Sequence, residues 1–102
     1  MLPCCPAALL AASLAASPAA LAQKEAIYVF YQMQLAPSVC GWRDAGSSAQ
    51  LDATVAAQER GFAITAAERS TMRRAAEAAI RSDASACAKD GMLRMMFDAT
   101  QQ

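Results

Sequence analysis

Wherever the chain carries charge, its apolar positions recur at helical spacing. From Gln23 to Leu35 (QKEAIYVFYQMQL), Ala26, Phe30 and Met33 share one side with Ile27, Tyr31 and Leu35 beside them, a period of about 3.6. Strict alternation fails at Ile27-Tyr28-Val29-Phe30-Tyr31, and no second strand-like run exists to pair with this one. Pro37 is expected to end this first helix, with Cys40 in the turn that follows. Cys40 to Ser48 (CGWRDAGSS) has the composition of a loop, flexible at Gly41 and Gly46, and places Trp42 where it can cover the cysteine.

Ser47 followed by Gln50 fits a capping box, which predicts a second helix from Ser48 to about Arg60, with Gly61 as its left-handed stop and Leu51 and Val55 as its apolar stripe. Thr65 followed by Glu68 repeats the start signal. The helix it opens carries the stripe Met72, Ala76, Ile80, Ala84 and Cys87, which sets Cys87 on a buried face late in that helix. Asp90-Gly91 interrupts, and Met92 to Ala99 (MLRMMFDA) reads as a short fourth helix. The pattern thus predicts an all-α domain of three to four helices, packed helix on helix with alanine at the contacts.

Ahead of these helices the pattern changes. Met1 to Ala22 holds only apolar residues, proline and serine, so every charge lies beyond residue 23. The ten-residue run Ala7 to Ala16 (AALLAASLAA) has the length of a secretory h-region and is short for a membrane span. Pro18 is expected to break it, and Ala20-Leu21-Ala22 supplies small residues at minus three and minus one before Gln23. The run lacks a preceding Lys or Arg, and Cys4 and Cys5 precede it, whereas a lipoprotein cysteine would follow it. The expectation is a signal peptide over 1–22, a single helical domain over 23–102, and a periplasmic or secreted bacterial protein with no membrane span after processing. Arginine outnumbers lysine seven to two, which with the alanine excess fits a GC-rich genome.

Processing would leave two cysteines, Cys40 and Cys87, and one pair in a secreted domain reads as one disulfide. A bridge closing that 47-residue loop contributes about 4 kcal/mol by chain entropy. The contribution matters here, because 18 of the 40 apolar residues beyond position 22 are alanine, leaving few large side chains for a core.

Composition narrows the chemistry. Without histidine there is no Ser-His-Asp or Cys-His nucleophile and no imidazole metal ligand. Nine basic and nine acidic side chains give a formal charge of zero, which excludes the broad basic field of non-specific nucleic-acid binding. The carboxylates Asp44, Asp52, Glu59, Glu68, Glu77, Asp83, Asp90 and Asp98 are dispersed, at helix starts or opposite arginines, without the pairing that acid-base catalysis needs. Arg69, Arg73, Arg74 and Arg81 cluster on the third helix, where Glu77 precedes Arg81 by four residues, so this reads as a solvated face with local ion pairs.

Met92, Met95 and Met96 fall at i, i+3 and i+4. With Leu93 and Phe97 this is the spacing of an amphipathic core helix, and an exposed methionine face would suit adaptable protein binding. The alternative is a Cu(I) site, since thioethers are soft ligands for a metal handled outside the cytoplasm. The expected function is non-enzymatic and cofactor-free: binding of an envelope protein, as an accessory, inhibitor or chaperone-like subunit. Tyr28, Tyr31, Trp42, Met95, Met96 and Phe97 are its candidate contact residues, because aromatic and methionine side chains dominate binding hot spots. In outline alone, a processed domain of this size with one disulfide joining helices is similar to the small periplasmic acid-stress chaperones, a likeness that no matched residue carries.

Overall fold

A computed structural model describes residues 18–101, with side chains from residue 24 onward. Four α-helices, α1 (Pro18–Cys40), α2 (Ala49–Gly61), α3 (Ala66–Ser82) and α4 (Met92–Ala99), are joined by short connections, and a 3-10 turn (Ala84–Cys87) links α3 to α4. No strand occurs among the described residues, and none of their helices is long and apolar enough to cross a membrane. The signal segment expected over 1–22 lies outside the described residues except for the opening of α1.

α1 is the spine against which α2, α3 and α4 all pack. Ile27, Tyr31 and Ala36 of α1 are wholly buried, and Leu51, Val55, Ile80, Leu93 and Phe97 close the core around them. Ala76, also wholly buried, has no side chain beyond Cβ to hold α3 away, and the Tyr28 hydroxyl reaches the Ala75 carbonyl at 3.3 Å. Cys40 and Cys87 are bridged, their Cα atoms 5.2 Å apart, the pair expected beyond position 22.

The two prolines of α1 stand at its first residue and in its final turn, and the second differs from expectation. Pro18 opens α1, where the first helical residue has no intrahelical use for its N–H and proline's fixed φ suits that position; the run it is expected to break lies outside the described residues. Pro37 lies inside α1, which runs on to Cys40. Proline in the final turn forgoes only the bond to the Met33 carbonyl. The end is closed by the Trp42 N–H donating to the Pro37 carbonyl at 2.9 Å, with Gly41 at φ +70° making the left-handed reversal.

The cap of α2 is Ser48, one residue later than the predicted capping box. The Ser48 hydroxyl accepts from the Leu51 N–H (3.0 Å) and donates to the Thr100 carbonyl (2.9 Å), so it satisfies the helix start and fastens the end of α4 in one stroke. At the other end, Gly61 is helical and the left-handed residue is Ala63, at φ 51°. The Ala63 N–H bonds to the Arg60 carbonyl (3.2 Å) and the Ile64 N–H to the Glu59 carbonyl (2.9 Å), the paired bonds of a Schellman stop. Stopping there sets Ile64 into the core, and its burial, about 1.5–3 kcal/mol for a full side chain, offsets the about 1–2 kcal/mol that alanine costs in this conformation.

α3 starts with the reciprocal Thr65–Glu68 capping box that the sequence announces. It ends earlier than its stripe suggests, so Ala84 and Cys87 do not belong to it. The Asp83 carboxylate accepts from both the Ser85 N–H (3.0 Å) and the Ser85 hydroxyl (2.7 Å), a local alternative to helical bonding that begins the 3-10 turn. Ala84 is exposed and Cys87 half-buried. The disulfide therefore ties the last turn of α1 to the turn after α3, not to α3 itself.

Candidate functional site

α4 is amphipathic within eight residues. Leu93 and Phe97 point into the core, whereas Met92 and Met95 are 69% and 60% exposed, the two large hydrophobic side chains left exposed among the described residues. Met96, half-buried, packs against the core edge. A hollow of about 230 Å³ lies beside this helix, lined by Gln32 of α1, Asp83, Ser85 and Ala86 of the turn, and Met92, Leu93 and Met96. Gly91 opens the helix where the chain passes close to itself: a Cβ there would stand 3.2 Å from both the Ala88 and Ser85 carbonyl oxygens.

A polar cluster behind α4 fixes it in place. The Trp42 ring lies 6.3 Å from Phe97 and its indole N–H donates to the Cys87 carbonyl at 2.9 Å, next to the disulfide. The Arg94 guanidinium stacks over Trp42 at 5.0 Å and donates to both Asp44 oxygens (3.3 and 3.1 Å) and to Asp98 (2.9 Å). Lys89 adds a longer contact to Asp44 at 3.6 Å. These hydrogen bonds from Arg94 hold the Asp44 carboxyl below its usual value. The Cys40–Ser48 loop is thereby locked to the buried side of α4, and the methionines are left facing outward.

A second cluster joins α1, α2 and α3. The Tyr31 hydroxyl donates to Glu59 at 2.6 Å, Arg69 donates to the same carboxylate oxygen at 2.8 Å, and Arg73 lies 5.4 Å over the Tyr31 ring. Arg73 also donates to Gln34, which donates in turn to Asp52. Burial, reinforced by the hydrogen bond to Glu59, pushes the Tyr31 hydroxyl up to about 12. Burial pushes Glu59 up as well, but the hydrogen bonds from Tyr31 and Arg69 outweigh it and leave the carboxyl below its ordinary value. Of the basic cluster, only Arg81, paired with Glu77 at 2.9 Å, makes the expected contact within α3; Arg69 and Arg73 reach across to α2 and α1.

The expected contact residues separate under this geometry. Tyr31, Trp42 and Phe97 are core residues, 0%, 4% and 2% exposed, and cannot belong to a surface patch. Tyr28 and Met96 are half-buried, and Met95 is exposed. The core role expected of the methionines holds only for the edge contact of Met96. Met92, the more exposed of the pair, is not among the expected contact residues, although the Leu93–Phe97 spacing already turns positions 92 and 95 away from the core. Among the described residues no group of three or more His, Cys, Asp or Glu side chains could hold a metal ion. Comparison with protein-family models, with curated proteins and with solved structures finds no match to this chain.

Proposed function

We propose that the chain is exported, processed after Ala22, and acts in the bacterial envelope by binding another protein without chemistry of its own. The observation that carries this reading is the exposure of Met92 and Met95 on a helix whose opposite side is clamped by Trp42 and Arg94. Unbranched thioether side chains adapt to varied apolar surfaces, and a fixed backbone beneath them lowers the ordering cost of association. The non-enzymatic part is supported by the carboxylates: Asp44, Glu59 and Glu68 are all held below their ordinary values, the opposite of what a general acid needs. Processing at Ala22 would leave the disulfide and both polar clusters intact.

The test is site-specific photo-cross-linking in living cells from position 95 and, as a control, from exposed Arg74 on α3. One reproducible adduct from position 95 alone, lost on Met92→Ser with an unchanged circular dichroism spectrum, is the expected result. Equal yields from both positions, or a purified protein that turns over a small substrate, would overturn the reading. Intact mass of the envelope species checks the processing step, since retention of residues 1–22 contradicts it.

A further inference from the structure

We infer that Met92, Met95 and Met96 form a three-thioether site for Cu(I), a property independent of partner binding. Met95 and Met96, at i+3 and i+4, each neighbour Met92 on the helix surface, with Cβ atoms about 5–6 Å from its own. Each methionine has three rotatable bonds beyond its Cα, enough to bring three sulfurs around one ion. Met92 and Met96 also border the same hollow beside α4, so two of the three side chains already meet over one space.

The pattern of exposure leaves thioethers, and no other large apolar side chains among the described residues, open to a dissolved ion. Where α4 needs plain hydrophobic burial it uses Leu93 and Phe97, and where it leaves large apolar side chains exposed they are both methionine. Soft thioethers favour Cu(I) over harder divalent ions. The surroundings agree: Oδ1 of the nearby Asp83 already accepts twice from Ser85, and no group of three or more His, Cys, Asp or Glu side chains among the described residues competes. Cys40 and Cys87 are committed to their disulfide and the chain has no histidine. Arg94 and Trp42 hold α4 before any ion arrives, so binding needs only side-chain rotation. The site holds copper already reduced and carries no redox step.

The disulfide-intact protein is titrated with Cu(I) kept reduced by ascorbate, in competition with a chromogenic chelator, and with Ag(I) as a redox-inert probe. The expected result is one ion per chain, with Ag(I) shifting the methyl resonances of Met92, Met95 and Met96 and leaving those of Met33 and Met72 in place. Replacing all three by leucine preserves apolar area and removes sulfur, so uptake should vanish with an unchanged melting temperature. Met95→Leu alone, at an exposed position, should weaken binding about tenfold or more, as loss of one of three soft ligands requires. Failure to compete with the chelator, equal uptake by the Met95→Leu protein, or shifts at Met33 or Met72 would overturn the proposal. The partner-binding reading fails separately: its adduct from position 95 should survive Met92→Leu and Met96→Leu, which keep the apolar surface, and disappear with Met92→Ser.

Discussion

Midway along α1 the Tyr31 ring is enclosed with Arg73 over its face, and just past the end of α1 the Trp42 ring is enclosed with Arg94 over its face. Each ring sends one polar hydrogen to an acceptor on a distant segment, Tyr31 to the Glu59 carboxylate and Trp42 to the Cys87 carbonyl. The difference lies in what holds the acceptor. Cys87 is bonded covalently to α1, so the acceptor at the Trp42 end is held by a bond that depends on oxidation, although the Arg94–Asp44 pair beside it also titrates. Glu59 is held by hydrogen bonds and charge alone, so the Tyr31 seam depends on the protonation of its members. A small core with many alanines can thus be closed at two places by the same aromatic-arginine arrangement, one with its acceptor fixed by a disulfide and one with its acceptor fixed by charge and hydrogen bonds.

Removing the bridge should produce the largest effect. Cys40→Ser with Cys87→Ser is expected to lower unfolding free energy by about 4 kcal/mol, read from urea denaturation with the m-value fitted separately for each protein, because the unbridged unfolded chain expands. An unchanged unfolding free energy would mean that the Trp42 end is held by its non-covalent contacts alone, erasing the contrast with Tyr31.

Tyr31→Phe keeps the ring beneath Arg73 and removes only the bond to Glu59. A loss of about 1–2 kcal/mol is expected, measured by the same denaturation curve. A neutral outcome would show that Arg69 alone satisfies Glu59.

The same hydroxyl gives the seam an alkaline limit. Because its pKa is raised in the fold from 10.0 to about 12, its stabilising contribution is complete below pH 10.0 and is lost as pH rises through about 12. Melting temperature should fall across that window in the native protein and fall less in Tyr31→Phe. Parallel curves for the two would place the alkaline sensitivity elsewhere.

The smallest effect concerns the α2 stop beside Glu59. Gly61 is helical, with nothing within 4 Å of the place a Cβ would take, and Ala63 is left-handed. Gly61→Ala and Ala63→Gly should therefore each stabilise by about 0.5–1 kcal/mol. Destabilisation by Gly61→Ala would return the stop to Gly61 and detach Ile64 from the seam.

Much of the fold was legible because it is encoded locally. The Thr65–Glu68 box, the Leu51–Val55 stripe and the Met92–Ala99 helix each depend on residues within two turns of one another, and each stands where its spacing puts it. The helix ends were less legible, because Ser48 caps α2 while reaching Thr100, and Ala63 accepts strain so that Ile64 can be buried. The aromatic residues show the same limit. Tyr31, Trp42 and Phe97 are equally suited by type to a hot spot or a core, and only their burial distinguishes the two.

The sequence by itself determined the helical class and the one-turn grouping of the methionines, which follow from periodicity and from spacing along a single helix, whereas the Cys40–Cys87 pair follows from parity only once the expected processing removes Cys4 and Cys5. Tertiary structure alone decided that Arg94 reaches back fifty residues to Asp44, that Tyr31 meets Glu59, and that Met92 and Met95 face outward. The physical reason is that partners brought together by packing leave no periodic trace: a charge or an aromatic ring looks the same along the chain whether its distant neighbour is water, an opposite charge or the core.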